Sequence, residues 1–317
     1  MKILVTGGMG FIGSNFIRLL LKEENAKIVN YDALTYAGNP ENLKDVEKNP
    51  NYSFVKGDVC DLSKVRQAMR GCDQVVHFAA ESHVDRSIED SSAFVRTNVL
   101  GTQVLLDAAK QEKIEKFLYV STDEVYGSIE QGKFNETDPL MPRSPYAASK
   151  AGGDLLAQSY FVTHKLPVVV TRSSNNFGPY QYPEKIIPLF ILNALENKKL
   201  PIYGSGKNVR DWIYVEDNCQ AILTVLKKGV AGEVYNAGGE NEFSNIQLTE
   251  KLLEILGKDE DLIEFVEDRK GHDKRYALTC EKIKELGWKN KYDFEKALSK
   301  TVQWYSKNEN WWKPLRN

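Results

Sequence analysis

Tyr146 and Lys150 lie four residues apart in the segment Ser-Pro-Tyr-Ala-Ala-Ser-Lys (144–150). On a helix, this spacing places both side chains on the same face. A lysine ammonium beside a phenol favours the phenolate, and so lowers a pKa that starts near ~10. The pair therefore predicts a general base that acts on a hydroxyl group.

Two adjacent carboxyl groups, Asp123 and Glu124, follow the β-rich run Lys116–Val120 in the segment Ser-Thr-Asp-Glu (121–124). A parallel strand here would end at the edge where open α/β sheets place their chemistry. An acid and a second base beside Tyr146 indicate more than a simple dehydrogenation. The alternative is a solvated acidic turn.

The spacing Tyr-x-x-x-Lys is weak by itself, because it occurs four times in the chain. The other three pairs are Tyr52/Lys56, Tyr203/Lys207 and Tyr292/Lys296. Only Tyr146 follows a Ser-Thr strand end and opens an apolar helical run, 147–161. This context favours Tyr146 and Lys150 as the reactive pair.

A dinucleotide fingerprint stands at the start of the chain. Gly7, Gly10 and Gly13 lie between the strand-like run 2–6 and the helical run 14–21. Glycines let the backbone approach a pyrophosphate, and the helix N-terminus attracts its charge. Asp32 ends the next strand, 27–31, about 20 residues further on, where it would accept hydrogen bonds from the adenosine ribose. Its charge would repel a 2′-phosphate, so NAD is favoured over NADP; an unliganded glycine turn and an ordinary loop aspartate are the alternatives.

Strand-like and helical runs alternate through the first half of the chain, which predicts an α/β fold with a Rossmann-type doubly wound parallel sheet. We expect an NAD-binding domain at 1–174, to which 210–238 returns. A smaller C-terminal substrate-binding lobe is expected at 175–209 and 239–317. Within these regions, 88–109 reads as one helix, 201–210 as a turn-rich segment, and Ser244 with Gln247 as a capping box before helix 246–256.

Composition excludes several classes of protein. The 317 residues are 42% apolar and 27% charged, with a net charge of −2 and no basic block, which argues against nucleic-acid binding. Four scattered cysteines without a Cys-x-x-Cys pair argue against a disulfide framework or a zinc site, and fit a reducing cytoplasm. No apolar run approaches the ~20 residues of a membrane span. No metal is expected.

Together the motifs resemble the extended short-chain dehydrogenase/reductase superfamily, and within it the dTDP-glucose 4,6-dehydratase family. The matching segments are TGGMGFIG (6–13), DALTYAGN (32–39), AAESHVDRS (79–87), STDEVYG (121–127), YAASK (146–150), NNFGPYQ (175–181), RDWIYVED (210–217) and DRKGHD (268–273). Segments 79–87, 121–127 and 268–273 are the specific ones.

The resemblance implies a lyase that makes a 4-keto-6-deoxy sugar nucleotide. Tyr146, assisted by Lys150, takes the proton from the sugar 4-hydroxyl while the C4 hydride passes to NAD, and Thr122 orients the same oxygen. Glu124 then removes the C5 proton that the 4-ketone has acidified. Asp123 protonates the departing 6-hydroxyl, and the hydride returns to C6.

The resemblance also implies two binding sets and a homodimer that pairs helices near 91–110 and 146–162. Cofactor contacts are expected from Gly7, Gly10, Phe11, Ile12, Gly13, Asp32, Ala33, Leu34, Thr35, Asp58, Val59, Ala79, Ala80, Ser82, Thr97, Tyr146, Lys150 and Asn176. Contacts to dTDP-glucose are expected from Ser82, Thr122, Asp123, Glu124, Asn175, Lys185, Pro201, Ile202, Tyr203, Arg210, Asn245, Arg269 and His272. Asn245 stands at a predicted helix start, so it either binds the diphosphate or supports the cap.

Two other functions remain possible from the sequence. One is a UDP-hexose 4-epimerase, or a dehydratase that uses a UDP- or GDP-sugar. An epimerase eliminates nothing, so Asp123 and Glu124 count against it. The other is a non-catalytic NAD-sensing regulator, which has no need of the tyrosine, the lysine or the carboxyl groups.

Overall fold

The computed structural model describes residues 1–316, which contain twelve strands. In chain order these are β1 (Lys2–Thr6), β2 (Lys27–Asp32), β3 (Tyr52–Lys56), β4 (Gln74–His77), β5 (Lys116–Thr122), β6 (Val168–Ser173), β7 (Asn175–Phe177), β8 (Leu200–Tyr203), β9 (Val209–Tyr214), β10 (Val234–Ala237), β11 (Glu242–Ser244) and β12 (Ile263–Val266).

The same residues form twelve α-helices. They are α1 (Phe11–Glu23), α2 (Leu62–Met69), α3 (Val84–Glu89), α4 (Ser92–Phe94), α5 (Gly101–Gln111), α6 (Pro145–His164), α7 (Ile186–Leu195), α8 (Val215–Lys228), α9 (Asn245–Leu256), α10 (Glu281–Glu285), α11 (Phe294–Lys307) and α12 (Glu309–Trp312). None of the helices in this part of the chain is long and apolar enough to cross a bilayer.

Seven strands form one sheet in the order β3-β2-β1-β4-β5-β6-β10, and every pairing in it is parallel. The middle of β1 and the first half of β6 are apolar and buried because helices cover both faces of the sheet. Helices α1 and α8 pack on one face, and α2, α5 and α6 on the other. The predicted doubly wound parallel sheet is confirmed.

The two faces of the parallel sheet each carry a hydrophobic core. A third core lies outside this sheet and is built by α7, α9 and α11 with two small sheets. One small sheet pairs β11, β9 and β7, and the other pairs β12 with β8. The capping box predicted at Ser244 and Gln247 is confirmed at the start of α9. The residue boundaries of the two expected lobes stay a prediction.

The single helix predicted at 88–109 is wrong. Helix α3 ends at Asp90, whose backbone is extended and whose carboxylate accepts a hydrogen bond from the Ser92 backbone at 2.8 Å. Side chains of this kind compete with helical hydrogen bonds. A π-helical stretch, Val95–Leu100, then precedes α5. Its distortion turns Asn98 inward, where the side chain binds both backbone groups of Glu81.

The turn-rich segment predicted at 201–210 is confirmed only in its middle, at residues 204–206, because β8 and the start of β9 occupy its two ends. Strand β8 pairs with residues 263–266, and β9 with residues 175–177 and 242–244. These partners are distant in sequence, so local composition gave no sign of them. Strand β9 carries Arg210 towards the site.

Candidate active site

A cavity of about 380 Å³ opens at the carboxyl end of the parallel sheet, between the sheet and the third core. Its size falls within the usual range for small-molecule sites. All thirteen residues expected to contact the sugar nucleotide line it, together with Phe11, Ile12, Tyr146 and Asn176 from the expected cofactor set. Seven of the eight matching segments therefore contribute residues to this cavity.

Helix α6 positions Tyr146 and Lys150. Ser144 caps its N-terminus by accepting a hydrogen bond from the Ala147 backbone at 3.1 Å, and Pro145 occupies the first turn. The Lys150 ammonium donates to the Val120 carbonyl at 2.7 Å and lies 4.4 Å from the centre of the Tyr119 ring. Burial lowers the pKa of Lys150 to about 8, although the nearby Asp154 carboxylate raises it.

The lowered pKa expected for Tyr146 is not found. Burial raises the pKa of this phenol, and the charges of Glu124 and Asp123 raise it further, whereas a hydrogen bond with Thr122 lowers it. Burial is the main cause, and the Lys150 ammonium, which donates to the Val120 carbonyl, is not among the groups that lower this pKa. The protein alone therefore holds Tyr146 in its protonated form.

Asp123 and Glu124 begin a 3-10 turn that follows β5 directly, and Thr122 caps this turn by accepting a hydrogen bond from the Glu124 backbone at 3.3 Å. The Thr122 hydroxyl also donates to Asp123 Oδ1 at 3.1 Å. Within residues 1–316, Asp123 Oδ2 is buried and has no hydrogen-bond partner. This oxygen is thus available to a bound molecule.

The two carboxyl groups differ in their electrostatic surroundings. Burial raises the pKa of Asp123 well above its ordinary value, and the carboxylates of Glu124 and Asp211 raise it further. Burial also raises the pKa of Glu124, but the cations Arg210 and Lys185 pull that pKa down. At neutral pH, this difference favours a protonated Asp123 beside an ionised Glu124.

The glycine turn between β1 and α1 fits a pyrophosphate. Gly7 has a φ of +72°, and a side chain on Gly13 would meet the Gly7 carbonyl oxygen at 2.3 Å. A Cβ on Gly10, by contrast, would have only the Gly7 oxygen nearby, at 3.3 Å, so open space lies over that residue. The turn is therefore tight on its inner side and accessible on its outer side, as phosphate binding requires.

Asp32 is buried at the end of β2. Its Oδ2 accepts from the Met9 backbone at 2.9 Å, and its Oδ1 accepts from the Leu34 backbone at 2.8 Å. Each carboxylate oxygen keeps a second lone pair, so the group still has capacity for ribose hydroxyls. These residues fit the adenosine half of NAD.

The remaining expected cofactor residues follow the carboxyl ends of neighbouring strands or lie on adjacent helical segments. Ala33, Leu34 and Thr35 follow β2, Asp58 and Val59 follow β3, Ala79, Ala80 and Ser82 follow β4, Thr97 lies in the π-helical stretch, and Asn176 lies in β7. The Asp58 carboxylate binds Arg96 at 2.7 Å, a contact that the sequence did not suggest. Asn176 binds the Ser174 carbonyl at 3.0 Å through its amide nitrogen.

Cationic and amide side chains form another part of the cavity lining. Arg210 donates to the Asp273 carbonyl at 2.9 Å and lies 4.3 Å from the centre of the Tyr276 ring. Asn175 Oδ1 has no hydrogen-bond partner among residues 1–316. Ser244 caps α9, so Asn245 is not required for the cap and lines the cavity instead.

Arg269 is held differently from the other cations. Its guanidinium binds the Asp85 carboxylate through two nitrogens, with a distance of 2.9 Å for Nη2, and it lies 5.2 Å from the centre of the Tyr203 ring. His272 binds Asp268 at 2.7 Å. Lys185 donates to the Ser82 carbonyl at 2.7 Å, and burial lowers its pKa.

Several cavity residues were missed by the sequence analysis. They include His83, Asp85, Gln181, Glu184, Asp273 and Tyr276. Glu184 accepts a hydrogen bond from Tyr36 at 2.9 Å, and its carboxylate lies 3.5 Å from Arg86. These residues belong to segments already recognised as motifs or to their immediate neighbours. Their positions in those segments were the only available signal.

Comparison with known proteins agrees with this geometry. The sequence model of the family described as GDP-mannose 4,6 dehydratase matches residues 4–301. The chain is 56% identical to the low-salt glycan biosynthesis protein Agl12 of Haloferax volcanii, over 96% of this chain and 98% of that protein. It is 53% identical to the dTDP-glucose 4,6-dehydratase of Streptomyces griseus, over 99% and 96% of the two chains.

A solved structure gives the same result. DesIV, the dTDP-glucose 4,6-dehydratase of Streptomyces venezuelae, was crystallised with NAD bound and superposes with a TM-score of 0.98 at 50% identity, over 99% of this chain and 100% of that one. A double mutant of DesIV was solved with NAD and a dTDP-sugar. The parallel sheet, the motifs and these relatives agree with the family predicted from the sequence. The chain therefore belongs to the dTDP-glucose 4,6-dehydratase family of NAD-dependent nucleotide-sugar dehydratases.

Proposed function

We propose that this protein is a lyase that converts dTDP-glucose into dTDP-4-keto-6-deoxyglucose. The observation that carries the proposal is the electrostatic difference between Asp123 and Glu124 beside Tyr146 in one cavity. An elimination needs an acid and a base at the same time, and this pair supplies both. The choice of thymidine nucleotide follows the dTDP-glucose dehydratases among the relatives.

The first step needs Tyr146 as a phenolate, so the phenol releases its own proton to solvent before it accepts the proton of the sugar 4-hydroxyl. Thr122 supports this transfer because its hydroxyl lies next to both the phenol and Asp123. The positive charge of Lys150, one turn after Tyr146 on α6, favours the phenolate as it forms. Bound NAD would accept the hydride that leaves C4 and return it to C6 later in the turnover, when the proton taken up by Glu124 returns to C5.

In the second step, Glu124 removes the C5 proton, which the 4-ketone has made acidic. Burial raises the pKa of Glu124, but the charges of Arg210 and Lys185 lower it and so favour the ionised form that this task needs. Asp123 gives its proton to the departing 6-hydroxyl, which leaves as water. The Asp123 oxygen without a partner in residues 1–316 is the atom available to that hydroxyl.

The sugar nucleotide is held by groups on both sides of the cavity. Arg210, Arg269 and Asn245 bind its diphosphate, and Pro201, Ile202 and Tyr203 lie against the base. Arginine suits this task because its planar guanidinium binds phosphate oxygens in pairs. The residues that the sequence predicts to contact the cofactor bind NAD at the carboxyl ends of the parallel strands.

The test is mass spectrometry of the product from dTDP-glucose deuterated at C4. A product that has lost one water and carries deuterium at C6 supports the proposal. Glu124→Gln should still reduce NAD but fail to eliminate, whereas Glu264→Gln, at an exposed position on β12, should behave as the wild type. Unchanged mass with inverted C4 would instead identify an epimerase. Absence of any reaction would favour the NAD-sensing regulator.

We also propose a homodimer and a cytoplasmic location. Four apolar side chains on the helical segments expected to pair are exposed, namely Val95, Leu100, Leu155 and Val162. A second copy of the chain would bury them. Sedimentation analysis should give twice the chain mass. The free thiols of the buried Cys72, Cys219 and Cys280 suit a reducing compartment.

A further inference from the structure

A buried network of four side chains, Asp154, Arg172, Tyr126 and Asn236, lies below the catalytic segments; we call it the Arg172 network. Arg172 on β6 is 2% exposed and binds Asp154 on α6 through two hydrogen bonds, of 2.9 Å from Nε and 3.0 Å from Nη2. Such paired, charge-assisted bonds fix the relative orientation of both groups. Strand β6 and helix α6 are thereby joined in one geometry.

Tyr126 extends the network towards β10. Its hydroxyl accepts a hydrogen bond from Arg172 Nη1 at 2.8 Å and donates one to Asn236 Oδ1 at 2.8 Å. Its ring stacks on Phe134 with centroids 5.0 Å apart and planes at 12°. Because the hydroxyl is engaged on both sides and the ring on one face, Tyr126 has one well-defined position.

The network lies close in sequence to both sets of proposed catalytic residues, the oxidation pair Tyr146 and Lys150 and the elimination pair Asp123 and Glu124. Asp154 stands one turn after Lys150 on α6, and Tyr126 ends the 3-10 turn that begins with Asp123 and Glu124. Gly127 follows with a φ of +85°, and a Cβ there would meet the Met141 carbonyl oxygen at 2.4 Å. The turn is thus held at its C-terminal end by Tyr126, and the tight contact between Gly127 and Met141 restricts the residues that follow.

At its near end, the turn is held less firmly. Thr122 contributes hydrogen bonds of 3.1 Å and 3.3 Å, and Asp123 Oδ2 has no partner within residues 1–316. Besides Val125, which is fully buried in the core, Tyr126 is thus the main anchor of the turn that carries the carboxyl pair. Tyr146 and Lys150 do not depend on it in the same way, because the Ser144 cap and the Val120 carbonyl hold them.

We propose that Tyr126, held by Arg172 and Asn236, is a positioning residue for the elimination step and not for the oxidation step. The proposal rests on the function proposed above. Tyr126 lines no part of the cavity, so it acts through the placement of Asp123 and Glu124. Loss of its hydroxyl should therefore separate two steps that the wild type performs in sequence.

The experiment is a single-turnover measurement on the complete protein with NAD and dTDP-glucose, in which absorbance of the reduced nicotinamide reports both steps. In Tyr126→Phe, the rise of this signal should stay within about twofold of the wild type, while its decay slows about tenfold or more, because a small displacement of an acid–base pair carries a large kinetic cost. Reduced cofactor then accumulates.

Tyr235→Phe is the matched control. Tyr235 is buried on β10 next to Asn236, and its hydroxyl accepts a hydrogen bond from the Val230 backbone at 3.0 Å, outside the network. This variant should lose stability without a change in the ratio of the two rates. If Tyr126→Phe does not fold, Asn236→Ser removes the same hydrogen bond and should give the same selective slowing.

Other results overturn the proposal. Equal slowing of rise and decay, or no change in either, would show that Tyr126 does not position the carboxyl pair. The same selective effect in Tyr235→Phe would show that general destabilisation causes it. If the wild type itself forms no dehydrated product from dTDP-glucose, both the proposed function and the positioning proposal fail. Product formation by the wild type therefore tests the function, and the ratio of the two rates in Tyr126→Phe tests the positioning role.

Discussion

Lys150 should make the folded protein less stable than it would be with an apolar residue at the same position. Burial lowers the pKa of its ammonium from 10.5 to about 8. Each pH unit corresponds to about 1.4 kcal/mol, so the charged form costs about 3 kcal/mol at pH 7. Lys150→Met removes this cost but loses the hydrogen bond to Val120, worth about 1.5 kcal/mol because the donor is charged. We expect Lys150→Met to be about 1.5 kcal/mol more stable at pH 7, and inactive.

The effect has a definite pH dependence. Below a pH of about 8, Lys150 is protonated in both folded and unfolded states, and the full cost is present. Between about 8 and 10.5 the folded state is neutral while the unfolded state still binds a proton, so the stability of the wild type rises with pH. The advantage of Lys150→Met should therefore disappear between pH 7 and pH 9.5, because the wild type gains about 2 kcal/mol over this range.

Urea denaturation at both pH values, at one fixed protein concentration and without added NAD, measures these differences. Lys48→Met serves as the control, because Lys48 is exposed and its substitution should change stability by less than about 0.5 kcal/mol. Two results would refute the reasoning. One is a Lys150→Met variant less stable than wild type at pH 7, and the other is an advantage that does not shrink at high pH.

Three further predictions concern binding. Gly13→Ala places a Cβ 2.3 Å from the Gly7 oxygen, so it should destabilise the protein by about 2 kcal/mol and weaken NAD binding in calorimetry; an unchanged affinity would contradict the tight turn. Asp32→Ala should weaken NAD binding at least tenfold, about the worth of one hydrogen bond to a charged group, and should reduce the preference for NAD over NADP; a preserved preference would mean that another group reads the ribose. Asp85→Ala releases Arg269 and should raise the KM for dTDP-glucose about fivefold, the upper range for a partly exposed pair, with little change in kcat. A fall in kcat alone would place Asp85 in the chemistry.

The sequence alone determined the fold class and the family. The glycine turn, Asp32 and the segments 121–127 and 146–150 are each contiguous, and their function depends on residue type and local spacing. Parallel strands bring their carboxyl ends to one edge, so contiguous motifs at those ends are expected to meet there. The cavity contains every residue expected to contact the sugar nucleotide for this reason.

The tertiary structure decided the properties that depend on distant residues. The helix expected at 88–109 is broken at Asp90 and becomes π-helical where Asn98 reaches Glu81, and β8 and β9 exist because of partners far along the chain. Neither pairing leaves a local pattern in the sequence.

The protonation states were decided in the same way. Asp123 and Glu124 are neighbours with the same chemistry, and the sequence predicts only that their roles must differ. The cations Arg210 and Lys185, which favour ionised Glu124, come from other elements of the fold. A pKa depends on burial and on every nearby charge, so only the folded chain separates the acid from the base.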